Sequence, residues 1–236
     1  MAIGEQRSKY KAIFFDLDHT LWDFDTNSKL TLTNLFEKYV SPISTAKPDQ
    51  FIRLFKKIND DLWDAYNKGR IDMDVIRDSR FVEIFRLLEI DNELLARQVS
   101  AEYLFTCPRQ PNLIPNTIQI LDYLAPHYKL HILTNGFEDV QSIKLEKSGI
   151  SSYFHTVITS ESAGHKKPSL EFFEHALSHT GIEAHETVMI GDNLKTDIAG
   201  ANKAFIDTVY FNPGNNVRPH KANYVIKNLM DLTKIL

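Results

Sequence analysis

The 236-residue sequence is short of several things at once, and each shortage closes off a class of protein. It has a single cysteine, Cys107, so neither an internal disulfide nor a cysteine-based zinc site can form. No apolar run approaches the length needed to span a bilayer, which excludes a helical membrane protein. The first ten residues lack the apolar stretch of a secretory signal, and the expectation is a soluble, cytoplasmic protein. Neither sign of charge is in large excess: 27 basic against 31 acidic residues leave a net charge of −4. The electrostatic footprint of a nucleic-acid binder is therefore missing, and neither a nucleic-acid polymer nor a membrane is expected as a partner. Internal repeats and low-complexity segments are also absent, which argues against a solenoid or an array. What is present is ordinary globular material, 43% hydrophobic and 25% charged. A chain of this length buries about 70% of its unfolded surface and needs no covalent staple.

Short apolar runs recur at 11–17, 129–133, 155–159, 187–190 and 207–211, each breaking into a polar segment. Runs of that length and character read as buried parallel strands. Between the later ones lie stretches of helical period at 117–124, 139–147, 170–178 and 197–204. Strands alternating with helices predict an α/β protein: a Rossmann-like parallel sheet with helices on both faces. Residues 25–109 break the alternation. Phe51, Leu54, Phe55, Ile58, Leu62, Ala65 and Tyr66 fall on one helical stripe, and 75–88 and 94–105 read as two more helices. The prediction is an all-helical cap over 24–109, inserted after the first strand of a core made from 1–23 and 110–236.

Ligands of open α/β sheets bind beyond the carboxyl ends of the strands, so the chemistry is sought there. The first run ends in Asp16 and Asp18, the second in Thr134, Asn135 and Gly136. The third is followed by Lys166, Lys167 and Pro168, and the fourth by Gly191, Asp192 and Asn193, with Asp197 opening the next helix. Residues two apart on extended chain face the same side, so both carboxylates of the first pair can serve one site. Crowded carboxylates repel unless a cation or shared proton relieves them, and an all-oxygen donor set suits a hard cation such as Mg²⁺. A hydroxyl, an amide and a flexible backbone at Thr134–Gly136 favour an anion, phosphate in particular. Taken singly, a strand-end aspartate is most simply a helix cap or turn residue and a lysine most simply a surface group; their convergence on one sheet edge is what points to a site. The nine histidines are read as showing no pairing at ligand spacing, and His19 as a loop residue.

These four segments, DLDHTL at 16–21, TNG at 134–136, KP at 167–168 and GD at 191–192 followed by Asp197, resemble the four ordered motifs of the haloacid dehalogenase-like hydrolase superfamily. The likeness spans nearly the whole chain, and the helical insertion resembles that superfamily's helical cap. TLWDF at 20–24, GDNLKTDI at 191–198 and YFNP at 210–213 are similar to the branch containing pyrimidine 5′-nucleotidases.

The resemblance implies an Mg²⁺-dependent phosphatase acting on a small-molecule phosphomonoester. Asp16 is then the nucleophile that forms an aspartyl-phosphate, and Asp18 the acid and base on either side of it. The Asp16 and Asp192 carboxylates and the Asp18 main-chain carbonyl hold the metal. Thr134, Asn135 and Lys167 hold the phosphoryl oxygens, and Asp197 orients Lys167 or a metal-bound water. Dehalogenases of the superfamily lack an acid two residues after the nucleophile, so Asp18 points to phosphate chemistry. A sugar-phosphate phosphatase, a phosphomutase or a phosphate-binding regulator are the alternatives, because fold and core motifs do not fix a substrate. Specificity is sought in Trp22 and Phe24, weighed between packing and base stacking, and in residues 67–70, with Arg70, Arg77 and Arg80 as candidate contacts to polar substituents.

Overall fold

The computed structural model describes residues 9–236; most of the amino-terminal stretch read for a secretory signal lies outside them. The chain divides into two compact units, one running up to Asp23 and resuming over Asn112–Leu236, the other formed by Phe24–Pro111.

The first unit carries a six-stranded parallel sheet: β1 (Ala12–Phe15), β2 (Lys129–Thr134), β3 (Phe154–Thr159), β4 (Thr187–Gly191), β5 (Asp207–Phe211) and β6 (Tyr224–Ile226). Their order is β3-β2-β1-β4-β5-β6. The five expected strands are all present, and each lies within a residue or two of its apolar run. The sixth is three residues long and mostly exposed, too short to leave a pattern. The chain steps outward from β1 in one direction through β2 and β3, then in the other through β4, β5 and β6. Ligand crevices of such sheets open at that reversal, beyond the carboxyl ends of β1 and β4.

The second unit is helical throughout: α1 (Phe24–Leu35), a π-helical turn (Phe36–Val40), α2 (Pro48–Asn67), α3 (Met73–Leu87) and α4 (Glu93–Thr106). Three of these match expected helices. The first was invisible to a hydrophobic-period reading because its buried face is largely polar, with Asn27, Ser28 and Thr31 inside beside Leu32 and Leu35. Phe55, Phe81 and Tyr103 form the aromatic heart of this unit, with ring centroids 4.9 to 5.6 Å apart. Arg80, sought as a substrate contact, is instead buried among them, its guanidinium 4.8 Å from the Tyr103 ring and donating to Asn59 at 2.8 Å.

The helices flanking the sheet are α5 (Thr117–Leu124), α6 (Glu138–Lys147), the single turn α7 (Ser160–Ala163), α8 (Leu170–Thr180) and α9 (Ala199–Lys203). The helix expected over 197–204 begins earlier, as a π-helical turn over Leu194–Ile198. Asn193 starts it by accepting from the main-chain nitrogens of Lys195 and Thr196. Phe172, Phe173 and Ala176 of α8 pack on Phe14, Leu133, Ile158 and Met189, and this layer fixes the helix against the sheet.

His131 of β2 is buried at the edge of that layer, 5.6 Å from Phe14 and bonded through Nδ1 to Thr156 Oγ1. Burial pushes its pKa down to about 4, with His155 and Lys129 nearby acting in the same direction. Between about pH 6.5, the ordinary value, and pH 4 the unfolded chain therefore takes up a proton that the folded chain refuses. Stability falls as pH falls through that window. In chelator-treated protein, His131→Gln is expected to remove about 2 kcal/mol of the acid-induced loss between pH 7 and pH 4. Urea melts across that range check it; parallel pH curves for the two proteins would assign the loss elsewhere.

Candidate active site

The site is assembled by register. β1 pairs with β4 so that Phe15 lies beside Ile190, and the Asp16 main-chain nitrogen continues the ladder to Ile190 O at 2.9 Å. Asp16 thus leaves the sheet one step from where Gly191 and Asp192 leave it. β2 pairs on the other side of β1, which sets Thr134 at the same edge. One carboxylate oxygen from each of Asp16, Asp192 and Asp197 lies within 4.8 Å of the others. Thr20 Oγ1 sits between two of them, 3.3 Å from Asp16 Oδ2 and 3.4 Å from Asp192 Oδ1.

Lys167 is bonded into this cluster and is 2% exposed. Its Nζ donates to Asp16 Oδ1 at 2.6 Å, to Leu133 O at 2.7 Å, and meets Asp197 Oδ1 at 2.7 Å. An ammonium has three hydrogens, so all three are taken. A phosphoryl oxygen arriving at Lys167 would have to displace one of these partners. Asn135 holds the Lys167 backbone by a reciprocal pair, Nδ2 to Lys167 O at 2.9 Å and Lys167 N to Oδ1 at 2.8 Å. Its side chain is a clamp on the lysine segment.

Three acids served by one base leave an imbalance. Burial pushes Asp16 up to about 7, with Asp197 and Asp18 adding to the rise and Lys167 opposing it. Asp192 is raised well above the usual carboxylate range, again by burial first and by Asp16 and Asp197 second. Such a set of hard oxygen donors fits a small divalent cation, whose charge would relieve the repulsion.

Asp18 lies apart from that cluster. Lys144 Nζ reaches its two oxygens at 2.6 and 2.8 Å, and Gln141 Nε2 donates to Oδ2 at 2.9 Å. Burial works against the Asp18 carboxylate, but Lys144 and Gln141 outweigh it and hold its pKa below the usual value. Gln141 Nε2 also donates to Thr134 Oγ1 at 2.7 Å, tying the second strand end to the first. Both residues were missed in the sequence. They lie three apart on α6, with only the TNG segment before them as a signal, and nothing in their spacing distinguishes them from solvated side chains. Trp22 is fully buried beneath Lys144, whose Nζ is 4.6 Å from its ring, so packing accounts for it and base stacking does not.

Gly191 is required by close approach. A Cβ there would lie 2.3 Å from Asp197 Oδ2, the oxygen that accepts from Asn193 N. Gly191→Ala would drive Asp197 off both Lys167 and Asn193. The expected cost is about 2 kcal/mol, a fall in Tm of roughly 5 °C. Unchanged melting would show that Asp197 relocates freely.

A parallel sheet reversing at β1, with clustered carboxylates and a buried lysine at the reversal, defines an α/β protein with a hard-cation and anion site at its topological switch point. The chain belongs to the haloacid dehalogenase-like hydrolase family, which it matches over residues 13–211. It is 33% identical over 234 residues to pyrimidine 5′-nucleotidase PynA of Streptococcus pneumoniae, covering 96% of this chain and 95% of that one. It is 27% identical over 232 residues to pyrimidine 5′-nucleotidase YjjG of Escherichia coli, covering 97% and 98%. The crystal structure of the HAD-hydrolase YfnB from Bacillus subtilis, bound to magnesium, superimposes with a TM-score of 0.85 at 28% identity, covering 97% of this chain and 99% of that one. No helix among the described residues is long and apolar enough to cross a membrane.

Proposed function

We propose that the protein is an Mg²⁺-dependent phosphomonoester hydrolase that works through an aspartyl-phosphate on Asp16, with pyrimidine 5′-nucleotides as its substrates. The observation that carries this reading is the Asp16–Asp192–Asp197 cluster held by Lys167, with a second aspartate anchored two residues beyond the first. Asp16 Oδ1 is held by Lys167 at 2.6 Å and Oδ2 only by the longer 3.3 Å bond from Thr20 Oγ1, so Oδ2 is assigned as the attacking oxygen. Attack forms an Oδ2–P bond and breaks the bond from phosphorus to the leaving alkoxide, which takes the proton that Asp18 acquires from solvent once its Lys144 pair has opened. Asp18 then removes a proton from the water that cleaves the acyl phosphate, releasing inorganic phosphate and restoring Asp16. Lys144 and Gln141 orient Asp18 between these steps, and its proton transfer requires loosening of the Lys144 pair. Asp16 and Asp192 would hold Mg²⁺, which when bound neutralises charge on the phosphoryl oxygens. The nucleotide specificity rests on the similarity to the two pyrimidine 5′-nucleotidases.

The test is phosphate release from pyrimidine and purine nucleoside monophosphates, sugar phosphates and phosphoglycolate, with Mg²⁺ or with EDTA. Release that needs Mg²⁺ and is fastest for UMP or dTMP is expected, with Asp18→Asn slower by about 10²- to 10⁴-fold. Preference for a sugar phosphate would overturn the nucleotidase assignment; inertness towards every ester would overturn the hydrolase.

A further inference from the structure

Gln141, the fourth residue of α6, is fully buried at the sheet edge where the first two strands end. Its amide nitrogen carries two hydrogens, and each goes to a different strand end. One reaches Asp18 Oδ2 at 2.9 Å, just beyond β1, and the other reaches Thr134 Oγ1 at 2.7 Å, the last residue of β2. The amide cannot be turned over, because an oxygen in place of Nε2 would face the Asp18 carboxylate. Holding it this way is costly: Oε1 is buried and has no hydrogen-bond partner among the described residues. The amide also dictates its neighbour. A Cβ on residue 136 would lie 2.0 Å from Gln141 Nε2 and 2.7 Å from its Cδ, so Gly136 keeps open the space in which the amide sits.

These bonds fix the direction of the Thr134 hydroxyl. Oγ1 accepts from Gln141 Nε2 and, at 3.0 Å, from the Gly136 main-chain nitrogen. A hydroxyl has two lone pairs and one hydrogen, so with both lone pairs engaged its hydrogen is left for an incoming acceptor. An O–H held in this way is a preorganised donor, which needs no reorientation when negative charge arrives. Asp18 gains in parallel. Lys144 and Gln141 both hold its carboxylate, and when the Lys144 pair opens the Gln141 bond still tethers it.

We propose that Gln141 is a positioning residue that sets two reacting groups from one nitrogen: it fixes Thr134 as a hydrogen-bond donor to the phosphoryl oxygens and Asp18 beside the leaving oxygen. The inference rests on the phosphomonoester hydrolase reading of this site and adds to it a link between phosphoryl binding and proton transfer. Two groups that share one rigid amide keep their spacing while substrate enters and product leaves. Misplacement by about 1 Å costs about 10²-fold in rate, which sets the size of the effect.

The experiment is steady-state kinetics of the full chain in saturating MgCl₂, with UMP and p-nitrophenyl phosphate as substrates. Gln141→Met keeps the volume and removes both donors. Its kcat for UMP should fall about 10²-fold with KM within about threefold of the parent, the signature of an interaction that matters in the transition state. The fall should be smaller for p-nitrophenyl phosphate, whose leaving group needs no proton, because only the Thr134 half is then lost. Gly136→Ala, which keeps the glutamine but drives its amide aside, should give the same signature. In a Thr134→Val background the further loss caused by Gln141→Met should shrink, because one of its two partners is already gone. Unchanged kcat in Gln141→Met, a loss confined to KM, or the same fold-loss with and without the Thr134 hydroxyl would overturn the inference and leave the hydrolase reading in place. A parent protein that hydrolyses neither ester would overturn that reading, and this inference with it.

Discussion

Asp16→Asn is expected to abolish phosphate release, by roughly 10⁴-fold or more, while leaving the protein at least as stable as the parent. The two halves of that expectation come from the same geometry. An amide nitrogen or its carbonyl cannot form and then release the acyl phosphate, so the covalent route is closed. Yet the carboxylate it replaces is an expensive one. Burial and its acidic neighbours hold Asp16 at about 7, far above its unfolded value, so keeping it ionised at neutral pH opposes folding. The sign is plain: above the unfolded pKa the unfolded chain gives up its proton more readily, and the penalty persists until the cluster is relieved. Removing one charge from three carboxylates within 4.8 Å lowers that penalty, and Lys167 keeps Asp197 and Leu133 O as partners. Melting in EDTA should show Tm unchanged or raised, with the gain shrinking as Mg²⁺ is added. A large loss of Tm with retained turnover would make Asp16 a structural residue and would remove it from the chemistry.

Lys167→Met should fail in the other way, losing stability and activity together. The lysine is 2% exposed and spends every ammonium hydrogen on a buried acceptor. Methionine fills similar volume but leaves two carboxylates and a carbonyl without their donor. Breaking a buried pair by removing one partner costs about 3–5 kcal/mol, a large part of the 5–15 kcal/mol typical of a whole domain. The expected fall in Tm is about 10 °C. Turnover should fall by about 10²–10³-fold, the usual loss when a preorganised positive group near a developing charge is removed. Because the lysine and Asp16 share a bond, the double variant Lys167→Met/Asp16→Asn should recover part of the lost Tm. Additive losses would mean that the pair is not coupled, and that Leu133 O and Asp197 carry the lysine's contribution.

These opposed signatures also separate what a sequence can carry from what it cannot. The strands were legible because a parallel strand buried on both faces needs an unbroken apolar run, and five of the six have one. α2, α3 and α4 were legible from apolar spacing or run length. α1 was not, because Asn27, Ser28 and Thr31 turn inward, Ser28 bonding the Tyr103 hydroxyl and Thr31 donating to the Asn27 main-chain oxygen. The acids of the candidate site were legible because strand ends must deliver them, and register through Phe15 and Ile190 then brings two of those ends together.

Gln141 and Lys144 were not legible. Lysine is normally solvated, and only the packing of α6 beside β2 buries this one against Asp18 and over Trp22. Arg80 and Trp22 show the reverse: residue types suited to recognition, which the tertiary structure spends on packing. Sequence by itself determined the period of each element, the order of the strands' polar endings and the charge each ending delivers, because those are local properties of the chain. Which side chains share a proton, a cation or a ring face was decided only by the folded sheet, because burial and close approach between residues a hundred positions apart exist nowhere else.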